Sequence, residues 1–252
     1  MLGASPVPRS TRRSAVARAA IARPLPTRAR RRTKPRGGVL GLSLTEQAYR
    51  ALEEQIVTLR IPPGTVVSEA ILGARLGIGR TPIREALWRL ARERLVTIIP
   101  HRGIIVSEID IKLQLRLLEL RREVERLVAS RAAKRATSSE RQRLDEITAG
   151  MEAAAAANDD TAFVRLDREF NELTVAAARN EFASSAMSLV HGLSRRFWYL
   201  HYKEAADMPL AARLHAEVAR AIARGDGQAA GRASDALLDY IEDFARATVG
   251  ID

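Results

Sequence analysis

Apolar residues between residues 43 and 100 recur at helical spacing in three segments. The first follows Ser43, which begins a capping box with Glu46, and the turn "IPPGT" ends it. Its apolar face consists of Leu44, Ala48, Leu52, Ile56 and Leu59. The second is short and runs from Ser68, as N-cap, to Leu76. The pattern therefore predicts two helices joined by a tight connection.

The third segment begins where Thr81 is a suitable N-cap and Pro82 suits the first helical position. Its buried stripe is Ile83, Ala86, Leu87, Leu90 and Ala91. Two β-rich runs follow, "LVTII" and "IIVSE", separated by "PHRG", which is typical of a hairpin with a basic tip. The order helix, short helix, turn, helix, hairpin predicts a winged helix-turn-helix.

The remaining sequence has few helix breakers. Nine of the ten prolines lie at or before Pro100, and the tenth is Pro209. Apolar residues continue at spacings of three and four, which predicts an all-helical region. We expect six helical segments, at about residues 110–135, 138–157, 159–178, 181–204, 208–225 and 227–248.

The distribution of charge distinguishes an N-terminal tail from the rest of the chain. The net charge is +11, and residues 1–42 contain 11 Lys and Arg without any Asp or Glu. We expect this Arg-, Pro- and Ala-rich tail to be disordered. The interpretations are a segment that adds non-specific attraction to a polyanion, a transit peptide, a variable extension, or the product of an upstream start site that the native protein does not use. The predicted organisation is a basic tail at 1–42, a winged helix-turn-helix domain at 43–107 and a helical domain at 108–252.

Several protein classes do not fit the sequence. The chain has no cysteine, which excludes a disulfide framework or thiolate zinc site. No apolar run is long enough to span a bilayer, so we expect no membrane partner. The nucleotide-binding and hydrolase motifs Gly-x-Gly-x-x-Gly, Gly-x-Ser-x-Gly and His-Glu-x-x-His are missing, so we do not expect an enzyme.

Two arginines at the start of the third helix indicate nucleic-acid binding. A helix N-terminus attracts phosphate, and the guanidinium of arginine fits phosphate oxygens or the O6 and N7 atoms of guanine. Arg80 and Arg84 lie outside the buried stripe, and the hairpin tip adds a histidine and another arginine. The alternative is that these arginines are simply solvated. The predicted DNA-binding residues are Arg80, Thr81, Arg84, His101, Arg102 and Gly103.

The run from Arg80 to Leu87, "RTPIREAL", resembles the opening of the recognition helix in the GntR family of bacterial transcription regulators. The resemblance extends over about 65 residues and includes "HRG" in the wing. Two positions depart from the family pattern. Gly79 replaces a usual serine, and Arg94 replaces the glycine that usually ends the helix, so we expect a different C-cap.

The stretches "LLELRREVERLVASRAA", "LDREFNELTVAAARN" and "LHAEVARAIARGD" resemble the FadR-type (FCD) effector domain. This implies an antiparallel helical bundle, a homodimer and a small-molecule pocket. The fold class is therefore mainly α, a winged helix-turn-helix followed by the bundle.

Many FCD domains hold a metal with one Asp and three His, but here only Asp167 and His215 match. Asn171 and Leu237 occupy two histidine positions, so we expect no cofactor and at most a weakly bound divalent metal.

The residues predicted to bind an effector are Arg121, Asp167, Asn171, Arg195, Tyr199 and His215. Asp167 and His215 could instead satisfy each other, and Arg121 could pair with Glu125 four residues later. The helix "GLSRRFWYLHY" fits a pocket wall, but equally a core or dimer seam.

These features predict a cytoplasmic, nucleoid-associated regulator. We expect it to bind a palindromic operator in double-stranded DNA, as a repressor whose affinity is modulated by a small anionic metabolite. The alternative is an architectural DNA-binding protein that responds to no effector.

Overall fold

The computed structural model describes residues 41–99 and 103–248. These residues form ten α-helices and three short β-strands. In chain order the elements are α1 (Leu44–Val57), β1 (Val66–Val67), α2 (Glu69–Leu76), α3 (Arg80–Arg92), β2 (Val96–Ile99), β3 (Gly103–Val106), α4 (Ile111–Arg135), α5 (Ser138–Ala156), α6 (Asp160–Ala177), α7 (Glu181–Ser188), α8 (His191–Ala205), α9 (Met208–Ala223) and α10 (Gly227–Ala247). The predicted mainly α fold is confirmed. The basic tail lies outside the described residues, apart from its last two.

The first three helices and the sheet form an N-terminal module, residues 43–106. Ser43 caps α1 by accepting a hydrogen bond from the backbone of Glu46, as predicted. The Glu46 carboxylate does not complete the capping box, because it pairs with Arg50 and Arg89 instead. Ser68 caps α2 in the predicted way. Leu44 is 56 % exposed, so the buried face of α1 begins later than the pattern predicted.

The wing contains one strand more than predicted. Strand β3 pairs in antiparallel fashion with β2, with Thr97 opposite Ile105. On its other side β3 pairs with the two-residue β1, with Val66 opposite Ile105. The sheet order is therefore β1-β3-β2, and the middle strand ties the wing to the connection between α1 and α2.

The start of α3 differs from the prediction. The helix begins at Arg80, with Gly79 as N-cap in extended conformation (φ −64°, ψ 162°), and no side chain caps it. Thr81 is thus inside the first turn, and the N-cap role assigned to it was wrong. Pro82 occupies the third helical position. Because N–H groups in the first turn have no intrahelical acceptor, its missing N–H costs no hydrogen bond.

The end of α3 also corrects an expectation. Arg94 adopts φ 60°, the left-handed conformation that glycine usually supplies. The backbone N–H of Leu95 donates to the Leu90 carbonyl, and that of Arg94 donates to the Ala91 carbonyl. These are the two bonds of a Schellman motif, so the C-cap geometry is the ordinary one despite the arginine.

Helices α4–α10 form a C-terminal bundle, residues 111–247. The predicted segment 181–204 is two helices, because α7 ends at Ser188 and α8 begins at His191. The N–H groups of Leu189 and Val190 bond to carbonyls three residues back, which tightens and ends α7. Neither Gly nor Pro marks this break in the sequence. None of the helices described is long and apolar enough to cross a bilayer.

The module and the bundle share one hydrophobic cluster across the predicted boundary at residue 107. Leu52, Leu87 and Leu95 of the module pack with Met187 and Leu193 of the bundle. The second large cluster lies within the bundle, around Leu144, Ile147, Met151 and Ile222.

Candidate functional site

The exposed face of α3 carries the predicted arginines. Burial of Ile83, Leu87 and Leu90 fixes the rotation of this helix, and the opposite face is left to solvent. Arg80, Thr81 and Arg84 are all exposed there.

Arg84 is held in place by the preceding helix. Its Nε donates to Glu69 Oε1 at 2.8 Å, and its Nη2 donates to Glu69 Oε2 at 2.9 Å. This is a bidentate pair. The side chain of Arg84 is nevertheless 52 % exposed. Hydrogen bonding from Arg84 lowers the pKa of Glu69. The pair leaves the remaining N–H groups of the guanidinium available to an acceptor in solvent.

The wing is described only in part. His101 and Arg102, the predicted tip residues, lie outside the described residues. Gly103 begins β3 with φ +104°, a conformation that L side chains rarely adopt. This backbone conformation accounts for a glycine at the start of β3, and the DNA contact assigned to Gly103 stays a prediction.

Trp88 is a surface residue that the sequence reasoning passed over. It lies one turn after Arg84 on the same face of α3 and is 57 % exposed. The available signal was an aromatic residue at a position outside the buried stripe of the helix.

A partly open cavity of about 40 Å³ lies inside the C-terminal bundle. Five of the six predicted effector-binding residues line it, namely Arg121, Asp167, Asn171, Arg195 and His215. Tyr199 is not among the lining residues. Its hydroxyl lies 3.5 Å from Asp160 Oδ1, at the first residue of α6. The structure therefore does not bring Tyr199 together with the other five predicted residues.

Asp167 and His215 contact each other at the cavity wall. His215 Nε2 is 3.1 Å from Asp167 Oδ1, while His215 Nδ1 is 2.7 Å from the Ala211 carbonyl. Asn171 donates from Nδ2 to the other carboxylate oxygen of Asp167 at 3.1 Å. Burial raises the pKa of Asp167, but the hydrogen bond and charge of His215 outweigh it, so the pKa is lowered and the group is ionised.

This donor set does not fit a tightly held transition metal. Both oxygens of Asp167 already have partners, and Leu237 lines the cavity with a side chain that offers no ligand atom. The residues that the structure describes contain no group of three or more His, Cys, Asp or Glu placed to hold an ion. A site reduced to Asp167 and His215 falls short of the usual tetrahedral or octahedral set.

Arg121 pairs with Glu125, which is one of the two roles that the sequence left open, and it also lines the cavity. Its Nε donates to Glu125 Oε1 at 2.6 Å, and its Nη1 donates to Ser194 Oγ at 2.6 Å while the residue lines the cavity. Burial raises the pKa of Glu125, but the charge of Arg121 more than compensates and holds it at about 2. His191 Nε2 lies 3.5 Å from Glu125 Oε1 and has no hydrogen-bond partner among the described residues.

Aromatic side chains form the apolar wall of the cavity. Phe163 and Trp198 stack with ring centroids 5.3 Å apart and an interplanar angle of 23°. The edge of His215 meets Phe163 and Phe170, which fixes its ring. The helix "GLSRRFWYLHY" thus contributes both wall and core, because Trp198 lines the cavity while Phe197 is buried against Phe244. Sequence reasoning had not placed His191, Ser194 or Tyr240 at this site.

Comparison with known proteins assigns both regions. Residues 44–106 match the family model described as bacterial regulatory proteins, gntR family, and residues 116–240 match the FCD domain. The HTH-type transcriptional repressor RspR of Escherichia coli K12 is 29 % identical over 203 residues, which covers 81 % of this chain and 89 % of RspR. An uncharacterised HTH-type regulator from the TAR-I region of Agrobacterium vitis is 34 % identical over 137 residues, covering 52 % of this chain and 78 % of that protein.

A solved structure agrees in fold. The structure of E. coli McbR/YncC has a TM-score of 0.72, with 18 % identity, over 83 % of this chain and all of that one. The chain therefore belongs to the gntR family of bacterial regulatory proteins and is a transcription regulator with a helix-turn-helix module followed by an FCD domain.

Proposed function

We propose that the protein is a sequence-specific repressor, and that a small anionic metabolite in the bundle cavity modulates its affinity for an operator. The observation that carries DNA recognition is the bidentate Arg84–Glu69 pair, because it aims a preorganised guanidinium outward from the exposed face of α3. Arg80 and Thr81 lie at the free N–H groups of the same helix start, where phosphate binds favourably. We expect His101, Arg102 and Gly103, the residues predicted at the hairpin tip, to contact adjacent DNA backbone.

The cavity favours an anion of modest size. Two arginines, Arg121 and Arg195, line it together with His191 and His215. The one carboxylate among its lining residues, Asp167, is already bonded to His215 and Asn171. An effector with an anionic head group against the arginines and an apolar part against Phe163 and Trp198 would complement both the charged and the apolar wall of the cavity. We expect no metal to take part.

A homodimer is the expected assembly. Leu120 and Leu127 lie seven residues apart on α4 and are 45 % and 40 % exposed, which supports pairing of this face with a second copy. Two recognition helices related by a two-fold axis read a palindromic operator. The role as a repressor is supported by the similarity to RspR, which bears that name.

The test begins with selection of duplexes from random oligonucleotides. Against the selected operator, Arg84→Ala should weaken binding by about 1–3 kcal/mol if the guanidinium contacts a base. The matched control is Arg165→Ala, which removes the same charge from an exposed position on α6 and should change affinity little. Unchanged affinity for Arg84→Ala would contradict the assignment. Equal binding to unrelated duplexes would favour an architectural protein instead.

A further inference from the structure

Helix α8 is in contact with both the cavity and the N-terminal module. His191, Ser194, Arg195 and Trp198 line the cavity from one side of this helix. Leu193 belongs to the hydrophobic cluster that contains Leu95 of the module. An event in the cavity that shifts α8 therefore acts directly on the surface where the module docks.

A buried carboxylate of the module is bound to this helix. Glu53, on α1, is only 2 % exposed. It accepts hydrogen bonds from Arg195 of α8 and from Arg168 Nη1 of α6, the latter at 3.1 Å. Arg195 is itself 8 % exposed. Because a buried charge without a partner is costly, this ion pair holds the module against the bundle.

Arg196, the next residue of α8, binds the connection between module and bundle. Its Nη1 donates to the Ser107 carbonyl at 2.8 Å, and its Nη2 donates to the Glu108 carbonyl at 3.0 Å. Two consecutive arginines of one helix thus hold α1 and the connecting segment at the same time.

We propose that a carboxylate effector and Glu53 compete for the guanidinium of Arg195, so that occupation of the cavity releases α1 from the bundle. The proposal rests on the anionic effector proposed above and states how its binding reaches the DNA-binding module. Arg195 lines the cavity and bonds to Glu53, so both anions approach one group. When an effector takes Arg195, Glu53 keeps only Arg168, and the docked pose of the module loses a charged hydrogen bond.

Competition has a measurable consequence. Glu53→Gln removes the competing charge and leaves Arg195 for an incoming anion. A carboxylate should therefore bind the cavity of this variant at least about tenfold more tightly, the range expected for a charged hydrogen bond. The matched control is Glu54→Gln, the neighbouring residue on α1, whose carboxylate pairs with exposed Arg60.

The chain provides its own reporters, because it contains two tryptophans, Trp88 on α3 and Trp198 in the cavity wall. In protein labelled with 5-fluorotryptophan, acetate, succinate and benzoate are titrated while the two ¹⁹F resonances are followed, with Trp88→Phe assigning the signals. The expected result is a shift of Trp198 that saturates at a lower concentration in Glu53→Gln than in wild type and Glu54→Gln. Equal saturation in all three would overturn the competition but leave the anion site intact. No response of Trp198 to any of the three probes, in any variant, would overturn the anion site itself.

The link to docking is tested by distance. Since the natural chain has no cysteine, spin labels can be placed at Ala74→Cys on α2 and Ala149→Cys on α5, both exposed. Labelled protein is assembled with excess unlabelled protein, so that only distances within one chain are measured. Glu53→Gln should lengthen or broaden the distance distribution relative to wild type and Glu54→Gln. A distribution identical to wild type, in a variant with unchanged circular dichroism, would refute the role of Glu53 in docking.

Discussion

Arg94 offers a test of backbone strain at the junction between α3 and the wing. The residue has φ 60°, and its side chain is exposed without a hydrogen bond or ion pair to the rest of the described chain. A side chain in the left-handed region costs about 1–2 kcal/mol, because Cβ approaches the following carbonyl oxygen. Glycine removes that strain but lowers the stability of the fold by about 0.5–1 kcal/mol, because it has greater conformational freedom in the unfolded state. Arg94→Gly should therefore stabilise the fold by up to about 1 kcal/mol.

The assay is urea unfolding followed by circular dichroism, with a thermal scan beside it. A gain of about 1 kcal/mol should raise the melting midpoint by about 2–4 °C in a chain of this size. Arg94→Ala is the first control, because it removes the charge but keeps Cβ and should bring no such gain. Arg92→Gly is the second, because it places glycine within the last turn of α3 and should destabilise by about 1 kcal/mol.

The direction of the change in the free energy of unfolding decides whether backbone strain is present at Arg94. If Arg94→Gly lowered the free energy of unfolding, the left-handed conformation would not be a source of strain here. If Arg94→Ala gave the same gain as Arg94→Gly, the cause would be charge rather than Cβ.

Three further predictions concern the bundle. The pKa of Glu125 is about 2 in the folded chain against an ordinary 4.5, so its stabilisation is complete above the ordinary value and is lost as pH falls towards 2. Urea unfolding should show the stability difference between wild type and Glu125→Gln constant near neutral pH and shrinking below about pH 4.5; a difference that grew with acid would contradict the ion pair. Elemental analysis of protein purified without a metal-affinity tag should find well under one transition metal per chain, and a stoichiometric ion that survives dialysis would show that Asp167 and His215 suffice. A Cβ at Gly192 would lie 2.9 Å from Leu95 Cδ1, so Gly192→Ala should destabilise by about 1–3 kcal/mol. Adding Leu95→Val should recover part of that loss, whereas strictly additive effects would argue against the contact.

Local signals predicted most of the fold. Ser43 and Ser68 mark helix starts because their side chains satisfy free N–H groups, and both do so here. Thr81 carried the same signal, but Gly79 in extended conformation lets the helix begin two residues earlier. The break between α7 and α8 has no local signal in the sequence, and the residues on either side of it, Met187 and Leu193, pack on the module.

The cavity was predicted in part because resemblance placed Asp167 and His215 on facing helices. The partners of Arg195 could not be predicted from spacing, since Glu53 lies 142 residues away in sequence and on another part of the fold. Helical spacing alone does not show which residues of α8 meet the cavity, so it could not separate Tyr199, which lies near Asp160, from Trp198, which lines the cavity.

The hydrophobic cluster that crosses residue 107 limits how this regulator could be recombined with its relatives. A chimera that joins the first 107 residues to the sensor of another family member would bring Leu95 and Glu53 against side chains selected for different neighbours. Exchange of the N-terminal module should therefore succeed only when the residues equivalent to Gly192, Leu193 and Arg195 are transferred together with the module.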